Sequence, residues 1–179
     1  MYLENIFNAP DIQKQLPLET AKFMNVDKFF RDIMVKTNKH PVVQNCCNSE
    51  ELFLKFQANN KALDDIQKCL ENYLETKRLA FPRFYFLSND DLLQILSQTR
   101  NPHAVQGHLR KCFDNINRIK FTEEEDSREV MAMVSAEPEN MPEVVVFSTN
   151  VIIAPEDKVE NWLKRIEEAM VDSLRDVSL

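Results

Sequence analysis

The chain has 179 residues, 44% of them hydrophobic, and a formal net charge of −7, which describes a globular chain with one sizeable core or two small ones. The acidic balance argues against binding to nucleic acid, to anionic membranes or to an acidic filament such as a microtubule, because each of these favours clustered Lys and Arg. The chain has a single glycine, Gly107, so it can form neither the P-loop motif G-x-x-x-x-G-K-[ST] nor the dinucleotide-binding motif G-x-G-x-x-G. This argues against nucleotide hydrolysis by a P-loop within this chain. No apolar run is long enough to span a bilayer, and the N-terminus has no signal-peptide pattern.

The N-terminal third has the apolar periodicity of helices. Between residues 18 and 38, Phe23, Phe30 and Ile33 belong to one apolar face, and His40-Pro41 ends the pattern. A second stripe from Glu50 to about Lys77 predicts the longest helix of the chain. At ~1.5 Å per residue it is on the order of 40 Å long.

Residues 81–87, which we call the aromatic segment, follow this helix and contain four aromatic side chains. Because Pro82 has no N–H and collides with a preceding helical turn, we expect an extended, largely buried segment. Strand-like alternation then buries Phe84 and Phe86 and turns Arg83 and Tyr85 outward, as candidate contacts with a partner surface.

A basic and aromatic platform for nucleic acid is the alternative interpretation of the same region, since Lys77 and Arg78 precede the aromatic residues. The structural interpretation is favoured, because cations are stabilising at the C-terminus of a helix, where Lys77 and Arg78 lie.

Two helices with specific start residues follow. Ser88 precedes Asp91 by three positions, which predicts an N-cap before an apolar run, and Asn101-Pro102 predicts a second helix with Asn as N-cap and Pro in the first turn. The apolar positions expected in these helices are Leu92, Leu93, Ile95, Leu96, Val105, Leu109, Cys112, Phe113 and Ile116.

The C-terminal third changes to β-prone runs. Residues 130–134 and 144–147, separated by a loop at 137–142, predict an antiparallel hairpin, with further strands at 119–122 and 151–153. Pro155 is expected to open a final amphipathic helix that turns Val159, Trp162, Leu163, Ile166 and Met170 inward. We therefore divide the chain into a helical subdomain, 1–120, and a hairpin with a terminal helix, 121–179.

No constellation predicts a catalytic, cofactor or metal site. His103 and His108 are five residues apart, a spacing that does not place both on one helix face, and no third ligand is in register with them. Cys46, Cys47, Cys69 and Cys112 form no metal or redox motif, although the adjacent pair Cys46-Cys47 leaves a vicinal disulfide open as an alternative.

The region from Lys77 to Asn115 resembles the linker of dynein heavy chains, in which F-P-R-F-Y-F-L-S-N-D-x-L-L is close to a signature string. Flanking strings at 2–7, 11–17, 26–34, 66–75 and 159–170 are similar to further linker motifs, so that the resemblance covers almost the whole chain. The strings at 11–17 and 66–75 are closer to axonemal than to cytoplasmic heavy chains. The signature segment consists of Phe81, Pro82, Arg83, Phe84, Tyr85, Phe86, Leu87, Ser88, Asn89, Asp90, Leu92 and Leu93.

The resemblance implies an elongated, mainly α-helical bundle with a small antiparallel sheet near the C-terminal third and a final helix. It further implies a fragment of the mechanical linker, which transmits ATP-driven rearrangements of an AAA+ ring into force for microtubule-based motility, as in ciliary or flagellar beating. The implied partners are the AAA+ ring of the same heavy chain and other dynein chains, without direct microtubule, nucleic-acid or membrane binding. The implied location is the cytoskeleton of the cytoplasm, in particular the axoneme of a cilium.

On this interpretation the fragment is not itself an enzyme and carries no cofactor, although its parent is a motor ATPase. The alternative is a free-standing helical adaptor module for protein interactions. The chain departs from the family at Gly107 and Asn5, where proline is usual, and at Pro138, where glycine is usual and where a turn of positive φ is now excluded.

Overall fold

A computed structural model describes residues 2–47, 49–98, 101–123, 126–138 and 140–177. The fold is mainly α-helical with a three-stranded antiparallel sheet in the C-terminal third and a final helix, as the sequence predicted. By its internal contacts the chain divides into two compact units, Met1–Tyr73 and Leu74–Leu179. Across the described ranges, every helix is too short or too polar to cross a membrane.

The first unit is built from helices. These are α1 (Tyr2–Asn8), α2 (Pro10–Gln15), α3 (Pro17–Lys39), α4 (Val43–Cys47) and most of α5 (Glu50–Ala80). The Phe7 ring stacks on Phe23 with centroids 4.8 Å apart, and Phe29 of α3 meets Phe56 of α5 edge-on at 5.6 Å. The predicted apolar face of α3 is wrong at Phe30, whose side chain is 52% exposed.

The second unit contains the end of α5 and all of the β-structure. Its elements are a 3₁₀ helix (Pro82–Phe86), α6 (Asn89–Ser97), a second 3₁₀ helix (Pro102–Val105), α7 (Gln106–Cys112), β1 (Ile116–Phe121), β2 (Glu129–Ser135), β3 (Val144–Ile152) and α8 (Val159–Val177). The subdivision predicted at residue 120 does not coincide with these units, because β1 packs on α7 and pairs with β2.

Both predicted caps form, but only one of them starts an α-helix. The Ser88 Oγ accepts the Asp91 backbone N–H at 3.1 Å and opens α6. The Asn101 side chain accepts the His103 N–H at 3.0 Å, but the residues that follow form a 3₁₀ turn before α7 begins at Gln106. An α-helix starting directly at Pro102 was therefore the wrong expectation. Its expected continuation to Ile116 was wrong as well, because α7 ends at Cys112 and Ile116 begins β1.

The sheet has the order β1-β2-β3, and both neighbouring pairs are antiparallel. The fourth strand predicted at 151–153 was wrong, because Val151 and Ile152 belong to β3 and pair with Val130 and Glu129 of β2. The register between β2 and β3 shifts once. Val130 and Ala132 are two residues apart on β2, but their partners Val151 and Val146 are five apart on β3, so residues 147–150 form an irregular, bulged part of β3.

Polar side chains occupy the two open edges of the sheet. The Gln106 amide bonds both backbone groups of Ile119 on β1, donating to the carbonyl at 2.8 Å and accepting the N–H at 3.1 Å. On β3, the Ser148 N–H donates to the Ser173 Oγ at 3.0 Å, and Arg165 donates to the Ile152 carbonyl at 3.2 Å. Because these bonds occupy backbone groups that another strand would use, they limit strand addition at both edges.

The last helix begins four residues after Pro155, so the predicted start was wrong. Residues 155–156 form a turn in which the Asp157 carboxylate accepts the Ala154 N–H at 2.8 Å, and α8 starts at Val159. The inward residues of this helix were predicted correctly. Trp162, Leu163 and Ile166 have no exposed surface, and Val159 and Met170 are buried.

Candidate functional site

The aromatic segment is a 3₁₀ helix and not an extended strand. Pro82 lies in the first turn, where its missing N–H costs no hydrogen bond, and the backbone N–H groups of Phe84 and Leu87 donate three residues back, at 3.0 and 3.1 Å. With three residues per turn, burial repeats at every third position, and Phe81, Phe84 and Leu87 are at most 3% exposed. The expectation of alternating burial was therefore wrong for Phe86, which is 70% exposed.

The Phe81 ring is at the centre of the buried side of this segment. It lies edge-on against Phe84 with centroids 5.0 Å apart and is tilted against Phe113, which follows α7, at 6.2 Å. Aromatic pairs in such geometries contribute beyond the area they bury. The segment therefore fastens α5 to the end of α7.

Arg83, a candidate partner contact, is engaged within its own unit. Its Nε lies 2.6 Å from the Glu167 Oε1 on α8, and its Nη1 donates to the Cys112 carbonyl at 3.1 Å. The guanidinium also lies 4.7 Å from the centre of the Phe113 ring. Because the Cys112 carbonyl belongs to the last turn of α7 and lacks a helical partner there, Arg83 caps that helix and ties it to α8.

Tyr85, the other candidate contact, is 53% exposed. Its hydroxyl donates to the Glu75 carboxylate at 2.5 Å, and this bond raises the pKa of Tyr85 above its ordinary value. Arg78 lies 5.9 Å from the centre of the Tyr85 ring and donates to the Leu87 carbonyl and the Asn89 Oδ1. The ring is therefore held in place while one side of it faces solvent.

A buried ion pair joins α5 to α8 beside this segment. The Lys77 Nζ lies 2.6 Å from the Glu160 Oε1, and each side chain is 7% exposed. The other oxygen of this carboxylate, Oε2, is buried without a hydrogen-bond partner among the described residues. Such a pair is costly to break, because removal of one partner leaves the other charge unpaired in the core.

The remaining signature residues build the start of α6 and its contact with α7. Asp91 receives a hydrogen bond from the Ser88 hydroxyl at 2.9 Å and an ion pair from Lys111 at 2.7 Å. The hydrogen bond from Lys111, followed by that from Ser88, lowers the pKa of Asp91. Of the signature residues in this part, Leu92 and Leu93 are buried, whereas Ser88, Asn89 and Asp90 are exposed.

His103 and His108 have separate structural surroundings. The His103 ring lies 4.0 Å from the Phe121 ring and 3.1 Å from the Ser127 carbonyl, and the His108 Nδ1 lies 3.4 Å from Asp91. Within the described ranges, no three His, Cys, Asp or Glu side chains are grouped as a metal site.

Three of the four cysteines are described with their side chains, and all three are free thiols. Cys47 is exposed, Cys69 is half-buried and Cys112 is buried. Because Cys47 is a free thiol, the structure does not contain the vicinal disulfide that the sequence left open as an alternative. The Cys46 side chain lies outside the described residues.

The long-range polar contacts of this region are what sequence reasoning missed. Lys77 and Glu160 are 83 residues apart, and Arg83 and Glu167 are 84 apart. Glu160 is next to Val159 at the start of the apolar stripe of α8, and no local pattern distinguishes it from the exposed acids of the same helix. These contacts make the signature segment a structural junction among α5, α7 and α8.

This arrangement defines a helical scaffold protein whose most specific sequence motif forms packing and polar links. The chain belongs to the dynein heavy chain family. The family model described as "Dynein heavy chain, N-terminal region 2" matches residues 1–178.

The curated relatives are heavy chains of the axonemal type. Dynein axonemal heavy chain 6 of Homo sapiens is 49% identical over 98% of this chain. Dynein axonemal heavy chain 2 of Mus musculus is 47% identical over 99% of the chain, and heavy chain 1 of Mus musculus is 46% identical over 99%. The chain spans about 4% of the length of each of these relatives.

Proposed function

We propose that this chain is part of the mechanical linker of an axonemal dynein heavy chain. In that role it carries rearrangements of an ATP-driven AAA+ ring into force on microtubules, and its place is the axoneme of a cilium. The family match over residues 1–178 and the similarity to axonemal heavy chains support this role over that of a free-standing adaptor.

The observation on which the mechanical proposal rests is the junction around the aromatic segment. Phe81 and Phe84 are buried in it, Arg83 bonds both α7 and α8, and Lys77 pairs with Glu160 inside the core. Packed interiors have low compressibility and transmit strain. A unit fastened in this way moves as one body, which is what a lever requires.

We place the contact with the rest of the heavy chain on the exposed side of the signature segment. Because Arg83 is occupied by Glu167 and Cys112, the residues proposed for such a contact are Tyr85 and two exposed apolar residues close to it in the sequence. These are Leu79 and Phe86, which are 69% and 70% exposed. Exposed apolar side chains near one another mark interaction surfaces more often than isolated ones do. The partner proposed for them is the AAA+ ring of the same heavy chain, and other dynein chains are the further partners.

The lever role is tested in a recombinant heavy-chain motor domain that contains this chain. We expect Lys77→Met to reduce microtubule gliding velocity while ATP turnover is retained. The AAA+ ring still hydrolyses ATP, but the loosened linker deforms under load and transmits less of the movement. Lys164→Gln, on the exposed surface of α8, is the matched control and leaves both rates unchanged. Hydrogen exchange measures whether Lys77→Met loosens the second unit, as we expect. If the unit is loosened and the velocity stays unchanged, the lever proposal is wrong.

The contact surface is tested separately with Phe86→Ser. This change leaves the fold of the chain intact, since Phe86 is exposed, and we expect it to lower gliding velocity. Unchanged motility would reject the placement of the contact without affecting the lever proposal.

A further inference from the structure

One face of the sheet combines exposed cations with exposed valines. Residues paired directly across neighbouring strands turn their side chains to the same face. Two such rows cross all three strands, and together they form what we call the basic face. Its members are Arg118, Val134 and Val144 in one row and Lys120, Ala132 and Val146 in the other.

The outer strands of the basic face are at the surface. Val144 and Val146 on β3 are 51% and 60% exposed, and Arg118 and Lys120 on β1 are exposed as well. The pair Ile119 and Met133 comes between these two rows along the strands and turns its side chains to the opposite face. Both of these side chains are buried. On the outer strands the basic face is thus turned outward, whereas its members on β2, Ala132 and Val134, are 0% and 3% exposed and lie buried between them. Val144 and Val146 are aliphatic side chains in contact with water, at positions where a lone sheet would have polar ones.

The charges of this face have no partner within the described part of the chain. Neither Arg118 nor Lys120 forms an ion pair there, whereas Lys111 and Arg165 pair with Asp91 and Asp157. The chain as a whole has a net charge of −7. A surface that is basic on an acidic chain is complementary to a partner with carboxylates.

The dimensions of the face fit a helix. Neighbouring strands lie about 4.8 Å apart, so that β1 and β3 are separated by about 10 Å. An α-helix with its side chains is about 10–12 Å across. A helix lying over β2 therefore reaches the cations on one flank and the valines on the other.

Strand addition is the less suitable mode of binding. Gln106 occupies both backbone groups of Ile119 at one edge, and Ser173 and Arg165 occupy those of Ser148 and Ile152 at the other. The side-chain face is not blocked in this way.

We propose that the basic face binds an amphipathic helix of a protein partner, with Asp or Glu side chains along one flank and aliphatic side chains along the other. The carboxylates pair with Arg118 and Lys120, and the aliphatic residues cover Val144 and Val146. This inference does not depend on the proposed lever function.

The test uses the 179-residue chain and two synthetic helical peptides of ~20 residues, long enough for about five turns. One peptide has Leu on one flank and Glu on the other, and the second has Lys in place of each Glu. Binding is measured by fluorescence anisotropy at low and high salt. The variants are Arg118→Glu/Lys120→Glu and Val144→Thr/Val146→Thr, and Lys61→Glu/Lys68→Glu on α5 is the control with the same charge change.

We expect the acidic peptide to bind and the basic one not to bind, with affinity reduced at high salt. Each variant of the basic face should weaken binding by about tenfold or more, and the control by less than about twofold. Circular dichroism identifies any variant that fails to fold, and the threonine variant, which keeps β-branched side chains, is the one that retains the sheet.

The proposal is overturned if the acidic peptide does not bind, or if it binds the Arg118→Glu/Lys120→Glu variant as well as the unmodified chain. Vesicles of phosphatidylserine and phosphatidylcholine form a third arm of the experiment. Binding to these vesicles without binding to the acidic peptide would assign the face to an anionic membrane surface and would equally reject the proposal.

Discussion

The Lys77 ammonium and the Glu160 carboxylate form an ion pair of 2.6 Å in the interior of the second unit, between two helices that are far apart in the sequence. Neither residue has a sequence context that distinguishes it, yet together they fasten α5 to α8. Replacing one residue of the pair leaves the other charge buried and unpaired, whereas replacing both leaves no buried charge. The single and double variants should therefore differ in stability.

Lys77→Met should lower the free energy of unfolding by about 3–5 kcal/mol, because Glu160 then stays in the core without its counter-charge. The double variant Lys77→Met/Glu160→Met should recover much of this loss, since no buried charge remains. Urea unfolding followed by circular dichroism measures both. A single variant that costs less than about 1 kcal/mol would show that the pair is exposed to water in solution.

Phe84→Ala and Phe86→Ala should differ sharply. The first removes a fully buried ring and should cost about 3–5 kcal/mol, whereas the second changes a ring that is 70% exposed and should stay within about 0.5 kcal/mol. The comparison separates the three-residue period of the 3₁₀ helix from the two-residue period of a strand. Equal losses at the two positions would favour the strand.

Gly107→Ala should stabilise the chain. Gly107 is on α7 without a positive φ, and a Cβ added there meets no atom within 4 Å. Because alanine loses less backbone entropy on folding, we expect a gain of about 0.4–1 kcal/mol in thermal or urea unfolding. A loss of stability would mean that α7 needs the flexibility of glycine at this position.

Asp91 should contribute a pH-dependent stabilisation. Its pKa in the folded chain is lowered by the hydrogen bonds from Lys111 and Ser88. The contribution is therefore fully present above the pKa of the unfolded chain, about 3.9, and is lost as the pH falls through the lower folded-state value. The stability difference between the unmodified chain and Asp91→Asn should accordingly shrink in acid.

Lys111→Met provides the second arm of that measurement. Because it removes the largest cause of the lowered pKa, the pH-dependent stabilisation should be smaller in this variant, and its loss in acid should be complete at a higher pH. An identical acid profile in the two chains would exclude the proposed role of Lys111.

Cys112 should be the least reactive of the three described thiols. Burial raises its pKa to about 11, whereas Cys47 is exposed. At pH 8 only about one in a thousand Cys112 side chains is then a thiolate, the form that reacts. Alkylation followed by peptide mass spectrometry should show early labelling of Cys47 and late labelling of Cys112. Equal rates would show that the core around α7 opens readily.

Local patterns in the sequence predicted most of the helices and the sheet. The stripe from Glu50 predicted α5, which extends three residues further than expected, to Ala80. The caps at Ser88 and Asn101 formed as predicted. Each side-chain oxygen accepts a backbone N–H only three or two residues further along the chain, so the bond depends on local sequence alone. The hairpin between β2 and β3 was likewise a local feature.

The backbone of the aromatic segment was beyond local reasoning. Pro82 excludes a helix interior but permits both a strand and the first turn of a helix, and only the packing of Phe81 and Phe84 against Phe113 selects between them. The same holds for Val151, whose position in β3 depends on its partner Val130 across the sheet.

The sequence by itself determined the family, the helical class and the capped starts of the helices, since each depends on residues close together in the chain. Tertiary structure alone decided which side of the signature segment is buried, that Arg83 is occupied by Glu167, and that Arg118 and Val144 share one face of the sheet. These depend on contacts between residues that are distant in sequence, and the free energy that selects them comes from packing and buried charge, which no local pattern records.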